Sequence, residues 1–267
     1  MLPARSWVGR ILINCVPSNR ISLPRAILCW WKENSAREGP PDTFRRLLSM
    51  LWEFVRESTP ARRRQRYGDV EYDWDFRVDT TGATVGWRDR LLGHFHSPYQ
   101  PTEPALFREM LEGLIQANPK IDFREFTFID IGSGKGRALL MAADYPFRRV
   151  LGIELLPELH RVAQENIKKY KSDSQQCFAI ECLLADAGEI AFPSEPIVLY
   201  LFNPLPESGL ARMISNMEHS LREHPRPVFV LYHNPLLERV LARSPAFNRI
   251  AGTHQYSIFS RNVAGSS

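Results

Sequence analysis

The sequence predicts an α/β fold, a mostly parallel sheet with helices on both faces, preceded by a helical N-terminal extension. Three observations carry this. The stretch from Phe126 is apolar and β-prone, ends in Asp130-Ile131, opens into Gly132, Gly134 and Gly136, and continues into the helix-friendly Ala138–Ala143. That order reads strand, tight glycine turn, helix. Two further short apolar runs end in an acid, Arg149–Glu154 and Leu183–Asp186, with the amphipathic stretch Pro157–Tyr170 between them. Finally, Ile197–Phe202 and Val228–Tyr232 are continuous apolar runs, as parallel strands covered on both faces require.

The elements follow in order. The first 32 residues carry five basic residues and no acid, and their apolar runs are too short and too broken to span a membrane. The Arg-rich, acid-free character resembles a transit peptide, while three prolines oppose a clean amphipathic helix; an extension without a folded role fits equally. Residues 1–40 are therefore expected to be poorly structured. Thr43–Glu57 reads as an amphipathic helix, with Phe44, Leu47, Leu48, Leu51, Trp52 and Val55 on one face and Thr43 as its cap. The basic run Arg62–Arg66 reads as a solvated linker. Tyr72–Phe76 alternates aromatic and acidic residues, as a strand or extended arm would, and Asp79–Gly82 reads as a turn. Pro104–Gln116 is a helix with Leu106, Met110, Leu111 and Leu114 on one face. Beyond the acid-ended strands, Ser208–Arg222 and Leu236–Arg243 read as helices.

A chain of 267 residues with a formal charge of +4 and ordinary aromatic and aliphatic content is globular, and its charge does not by itself argue for a nucleic-acid partner. None of Cys15, Cys29, Cys177 and Cys182 has zinc-ligand spacing with nearby histidines, so no metal is expected. Cys177 and Cys182 read as buried free thiols, which points to a reducing, cytoplasmic setting. The chain is expected to act as a monomer away from membranes.

Glycines after a first strand let the backbone approach a ligand closely, and the helix start then offers unpaired N–H groups. Which ligand follows from what the loop lacks. It has no Gly-Lys-Ser/Thr, so it is not a phosphate-cradling P-loop. The third glycine of a dinucleotide fingerprint is replaced by Arg137, and Asp130 at the strand end would repel a pyrophosphate. A cofactor with a positive centre, an amino group and one carboxylate suits the loop better, and S-adenosylmethionine has those groups. Glu154 can accept both ribose hydroxyls, a placement equally compatible with NAD. Asp186 can accept from an adenine amino group. Asn203 could bind a target N–H group through its side-chain and backbone carbonyls. It stands in Asn-Pro-Leu-Pro, which lacks the second adjacent proline and the stacking aromatic of nucleobase enzymes. His233, at a predicted strand end, is a candidate proton acceptor. His94 and His96 read as lid or surface residues.

The arrangement resembles the class I, seven-strand S-adenosylmethionine-dependent methyltransferases over roughly residues 95 to 260. Asp130-Ile131-Gly132-Ser133-Gly134-Lys135-Gly136-Arg137 looks like that family's first motif and Gly152-Ile153-Glu154 like its second. Asp186-Ala187 is similar to the third and Phe202-Asn203-Pro204 to the fourth. A narrower similarity, Tyr99-Gln100-Pro101-Thr102-Glu103-Pro104 ahead of a helix and the Asp-x-Gly-Ser-Gly-x-Gly-Arg core, is to the seven-strand protein lysine methyltransferases. The resemblance implies a Rossmann-like, seven-stranded sheet closed by an antiparallel pair at Phe247–Ile250 and Tyr256–Ser260. It also implies a lid carrying Tyr99 and Thr102, residues 41–119 as a helical or extended region bearing that lid, and residues 120–267 as the S-adenosylmethionine-binding methyltransferase domain. Cofactor contacts are expected from Tyr99, Thr102, Asp130, Gly132, Ser133, Gly134, Gly136, Arg137, Glu154, Asp186, Ala187 and Asn203, and chemistry from Asn203, Tyr99 and His233. The implied reaction is N-methylation of a protein lysine. Methylation of a small molecule or RNA, or cofactor binding without turnover, is the alternative.

Overall fold

The computed structural model describes residues 23–57, 70–81 and 100–261. Its strands are β1 (Thr127–Ile131), β2 (Arg149–Glu154), β3 (Ile180–Leu184), β4 (Ile197–Leu201), β5 (Val228–His233), β6 (Phe247–Gly252) and β7 (Tyr256–Arg261). They form one seven-stranded sheet in the order β3-β2-β1-β4-β5-β7-β6. β1 to β5 run parallel, and β7 is antiparallel to both β5 and β6. The predicted Rossmann-like sheet and its closing antiparallel pair are thus both present.

The helices are α1 (Leu23–Glu38), α2 (Pro40–Glu57), α3 (Val70–Phe76), α4 (Pro104–Ala117), α5 (Arg137–Ala142), α6 (Pro157–Lys169), α7 (Glu207–Glu223) and α8 (Glu238–Ala242). Side chains alternate across each strand, so the sheet feeds two cores. Phe128 and Val198 join Met110, Leu111 and Leu114 of α4 and Leu139 and Leu140 of α5 on one face. Ile129, Ile131 and Leu199 join Leu210, Met213 and Met217 of α7 on the other. Every residue of β1 and β4 is buried, which is why these strands read as unbroken apolar runs. Each large aliphatic side chain so buried contributes on the order of 1.5–3 kcal/mol.

Four elements differ from the sequence reading. Residues 70–76, expected to be extended, form α3. Strand alternation would have buried Tyr72, Trp74 and Phe76 together, yet Tyr72 is 7% exposed and Trp74 79%. The helical period instead brings Tyr72 and Phe76 onto one face, ring centroids 4.7 Å apart, where Phe76 meets Tyr170 at 5.2 Å. Residues 23–38, expected within a poorly structured extension, form α1, with Pro24 tolerated in its first turn. α1 packs on α2 through a turn at Gly39 (φ 85°), and Arg46 bonds Glu38 at 2.7 Å. α2 begins at Pro40 rather than Thr43, whose hydroxyl donates back to Gly39 O at 2.8 Å and does not cap. The third acid-ended strand lies earlier than expected, at Ile180–Leu184, so Asp186 stands beyond its end.

After β1 the chain moves to one side of it (β2, β3) and then to the other (β4, β5). The carboxyl ends of β1 and β4 therefore flank a topological switch point, where open α/β sheets bind ligands.

Candidate cofactor site

Asp130 and Tyr200 are register partners on neighbouring strands and project from the same face of the sheet. Beyond Ile131 the chain turns through Gly132 and Gly134 at φ of 73° and 56°. A Cβ at Gly132 would lie 2.6 Å from Pro204 Cβ, so the loops after β1 and β4 can meet only over a glycine. The amides of Gly132 and Ser133 both donate to Ile153 O, at 2.8 and 3.1 Å. Gly134 N donates to Glu154 Oε2 at 2.7 Å, and Leu156 N donates to Glu154 Oε1 at 2.8 Å. The glycine loop is thereby tied to the end of β2, and the same bonds orient the Glu154 carboxylate.

These loops enclose a cavity of about 920 Å³, counted out to its open mouth. Asp130, Gly132, Ser133 and Gly134 line it beside Arg137 and Glu154. Asp186 and Ala187 line it after β3, Tyr200, Phe202, Pro204 and Leu205 at β4, and Gln100, Pro101 and Thr102 from the loop before α4. Asp130 is 3% exposed, and no group among the described residues donates a hydrogen bond to its carboxylate. Burial, with the Glu154 charge adding to it, holds the Asp130 carboxyl well above the usual carboxylate range. A buried carboxylate without a donor is costly, and a cationic ligand relieves that cost. Asp186 accepts from Gly188 N at 2.7 Å and from Arg212 Nη2 at 3.4 Å.

Behind Asp130 the Tyr200 hydroxyl lies 2.8 Å from Thr102 Oγ1 and 2.9 Å from His233 Nδ1, and Phe202 stacks on the His233 ring at 3.8 Å. Burial pushes His233 down to about 4, so the ring is neutral at pH 7.

Residues 129–203, which run from β1 to the loop after β4, match the family model described as a methyltransferase domain. The chain carries a methyltransferase domain. The domain's cofactor is S-adenosylmethionine, which a loop without a phosphate cradle and the buried Asp130 carboxyl both fit. No curated protein sequence matches the chain. Among solved structures, it is similar to an RNA methyltransferase from Salinibacter ruber in complex with S-adenosyl-L-homocysteine, at 21% identity over 61% of this chain and 92% of that one, TM-score 0.37. It is similar to a ribosomal protein L11 methylase from Lactobacillus delbrueckii subsp. bulgaricus, at 16% identity over 61% and 80%, TM-score 0.42. It is also similar to the magnesium protoporphyrin IX methyltransferase of Synechocystis PCC 6803 with bound SAM, at 13% identity over 75% and 95%, TM-score 0.41.

Of the residues expected to contact the cofactor, Thr102, Asp130, Gly132, Ser133, Gly134, Arg137, Glu154, Asp186 and Ala187 line the cavity. Gly136 does not. At φ 87° it caps α5, and a Cβ there would approach Ala163 of α6 to 3.3 Å. Asn203 is not among the lining residues either. It adopts φ 45°, donates through Nδ2 to Asn234 O at 2.7 Å and accepts from the Tyr232 hydroxyl at 3.0 Å, tying the loop after β4 to the loop after β5. His233 is separated from the cavity by Tyr200. Tyr99, His94 and His96 lie outside the described residues. Sequence reasoning passed over Tyr200. Its one signal is that it carries the only polar side-chain atom in the run Ile197–Leu201. Among the described residues no group of three or more His, Cys, Asp or Glu is placed to hold a metal, and no helix is long and apolar enough to cross a membrane.

Proposed function

We propose that this methyltransferase transfers the methyl group of S-adenosylmethionine to an amine nitrogen of a protein, a lysine. The observation that carries the proposal is the charge of the cavity. Three carboxyl groups line it, Asp130, Glu154 and Asp186, of which Asp130 takes up its charge when a cation approaches, and its lining cation, Arg137, is bonded to Asp73 and Thr80. Such a wall attracts a cationic acceptor and opposes a phosphate-bearing one. The resemblance of the Gln100-Pro101-Thr102 loop and the glycine core to the lysine methyltransferases supports the same reading.

Methyl transfer is an in-line displacement at a sulfonium-bound carbon, which requires a neutral nucleophile held about 3 Å from the methyl. A lysine must first lose its proton, and the apolar part of the cavity lining, Pro101, Phe202, Pro204 and Leu205, favours the neutral amine by desolvation. Glu154 holds the ribose and Asp130 the positive end of the cofactor in this reading. Thr102 and Tyr200 close the side next to α4. His233 and Asn203, expected from sequence to take part in chemistry, take supporting roles. A ring pushed down to about 4 and bonded to Tyr200 is a poor proton acceptor at pH 7, and the Asn203 amide is engaged by the loop after β5. The buried thiols Cys177 and Cys182 fit a cytoplasmic setting.

The test is incubation of a cell lysate with the enzyme and methyl-labelled S-adenosylmethionine, followed by separation of protein, RNA and small molecules. Label on protein lysine is the expected result. Label confined to RNA or to a small molecule contradicts the acceptor assignment, and binding without any transfer contradicts the enzymatic one.

A further inference from the structure

The two large side chains of the glycine loop, Lys135 and Arg137, reach toward residues 70–81, and Arg137 also lines the cofactor cavity. Lys135 is fully buried, and its ammonium lies 2.7 Å from Asp79 Oδ1 and 2.9 Å from Thr81 O. Arg137, 2% exposed, donates through Nε to Thr80 Oγ1 at 2.6 Å, reaches Asp73 Oδ1 at 3.3 Å and lies over the Tyr72 ring at 4.9 Å. Asn166 of α6 joins both sides: its amide donates to Lys135 O at 2.9 Å and to Asp79 O at 2.8 Å, and its carbonyl accepts from Asp79 N at 2.9 Å. Asp73 organises the segment by accepting from the amides of Thr80 and Thr81 at 2.9 and 2.7 Å.

A buried ammonium and a buried guanidinium are tolerated only while their partners are present; removing one partner leaves an uncompensated charge. If residues 70–81 undock, Lys135 and Arg137 must reach water, and the loop between Gly134 and Gly136 must move with them. That same loop anchors Glu154 through Gly134 N. From these contacts we infer that residues 70–81 are a latch whose docking sets the cofactor loop, with Asp73, Asp79 and Thr80 as positioning residues for S-adenosylmethionine binding. The inference rests on the cavity being the cofactor site. By linkage, a cofactor that binds only the latched form also holds the latch closed.

Amide hydrogen exchange of the full chain, with and without S-adenosylmethionine, tests this directly. The amides of Asp79, Thr80 and Thr81 belong to residues outside the cavity lining, so direct shielding does not reach them. With cofactor at about a hundred times its Kd, opening of the latch is suppressed about a hundredfold, and exchange of these amides slows accordingly. Calorimetry on Thr80→Val and Thr80→Ser gives a second readout. Valine keeps the shape without the hydroxyl that accepts from Arg137, so its cofactor Kd rises about tenfold or more while turnover at saturating cofactor stays within about twofold. Serine keeps the hydroxyl and binds as the parent does. If the parent binds cofactor but the exchange rates are unchanged and Thr80→Val binds like the parent, the latch is packing only and the inference is overturned. If the parent binds no S-adenosylmethionine, the cofactor reading itself has failed and the latch loses its meaning.

Discussion

The Tyr200 hydroxyl of β4 lies 2.9 Å from Nδ1 of His233, the last residue of β5, and both side chains are buried. A neutral imidazole suits that position, because a ring pushed down to about 4 from 6.5 has been stripped of water without gaining a counter-charge. The sign of the consequence is definite. Between pH 6.5 and about 4 the unfolded chain holds a proton on His233 that the folded chain does not, so stability falls as pH falls through this window. The parent should lose about 3 kcal/mol more than His233→Gln between pH 7 and pH 4, by the conversion of about 1.4 kcal/mol per pKa unit. Urea unfolding of both proteins across that range measures it. Parallel pH profiles would show that His233 does not carry the pH dependence of stability.

Asp130 titrates in the opposite sense. Its carboxyl is held well above the usual range by burial and the Glu154 charge, and a cationic cofactor favours the charged form. Binding of S-adenosylmethionine should therefore release a proton, and affinity should rise with pH through the raised pKa of Asp130. Calorimetry in two buffers of different ionisation enthalpy reads the proton directly. In Asp130→Asn the proton release should vanish and affinity should drop; a variant that keeps the release would place the titration elsewhere.

Glu154 has a double task, since it receives Gly134 N and Leu156 N at 2.7 and 2.8 Å while facing the cavity. Glu154→Ala removes charge-assisted hydrogen bonds of roughly 1.5–3 kcal/mol. Cofactor affinity should fall at least about tenfold. A folded variant with an unchanged dissociation constant would show Glu154 to be a bystander.

How much of this was legible in the sequence depended on whether a residue's partner was local. β1, β4 and β5 announced themselves because strands buried on both faces must be apolar throughout, and the glycine loop because positive φ selects glycine. α3 did not. Tyr-x-Trp-x-Phe satisfies a period of two as readily as the i, i+4 pair Tyr72/Phe76, and the deciding partner, Tyr170, is distant in sequence. The same holds for Lys135 and Arg137, which read as loop cations until Asp73, Asp79 and Thr80 are brought beside them. Tyr200 was hidden because an aromatic inside an apolar strand looks like core, and its hydroxyl partners, Thr102 and His233, come from separate elements. Asn203 was recognised as special by its place after β4, but its side-chain amide is engaged by the Asn234 carbonyl.

The N-terminal helices make few demands on the cofactor site. α1 packs chiefly on α2, and among the described residues none from either helix lines the cavity. A chain beginning near Pro40 should therefore bind S-adenosylmethionine with the parent's affinity. An insoluble or non-binding truncation would show that α1 belongs to the folding unit.

The cavity at the carboxyl ends of β1 and β4 is built for S-adenosylmethionine rather than a dinucleotide. Titration of the full chain with S-adenosylmethionine and, separately, with NAD is the most direct test. Saturable binding of S-adenosylmethionine at one site per chain is expected, with at least about a hundredfold weaker binding of NAD, because the loop has no phosphate cradle and the buried Asp130 favours a cation beside it. Tighter binding of NAD would contradict it.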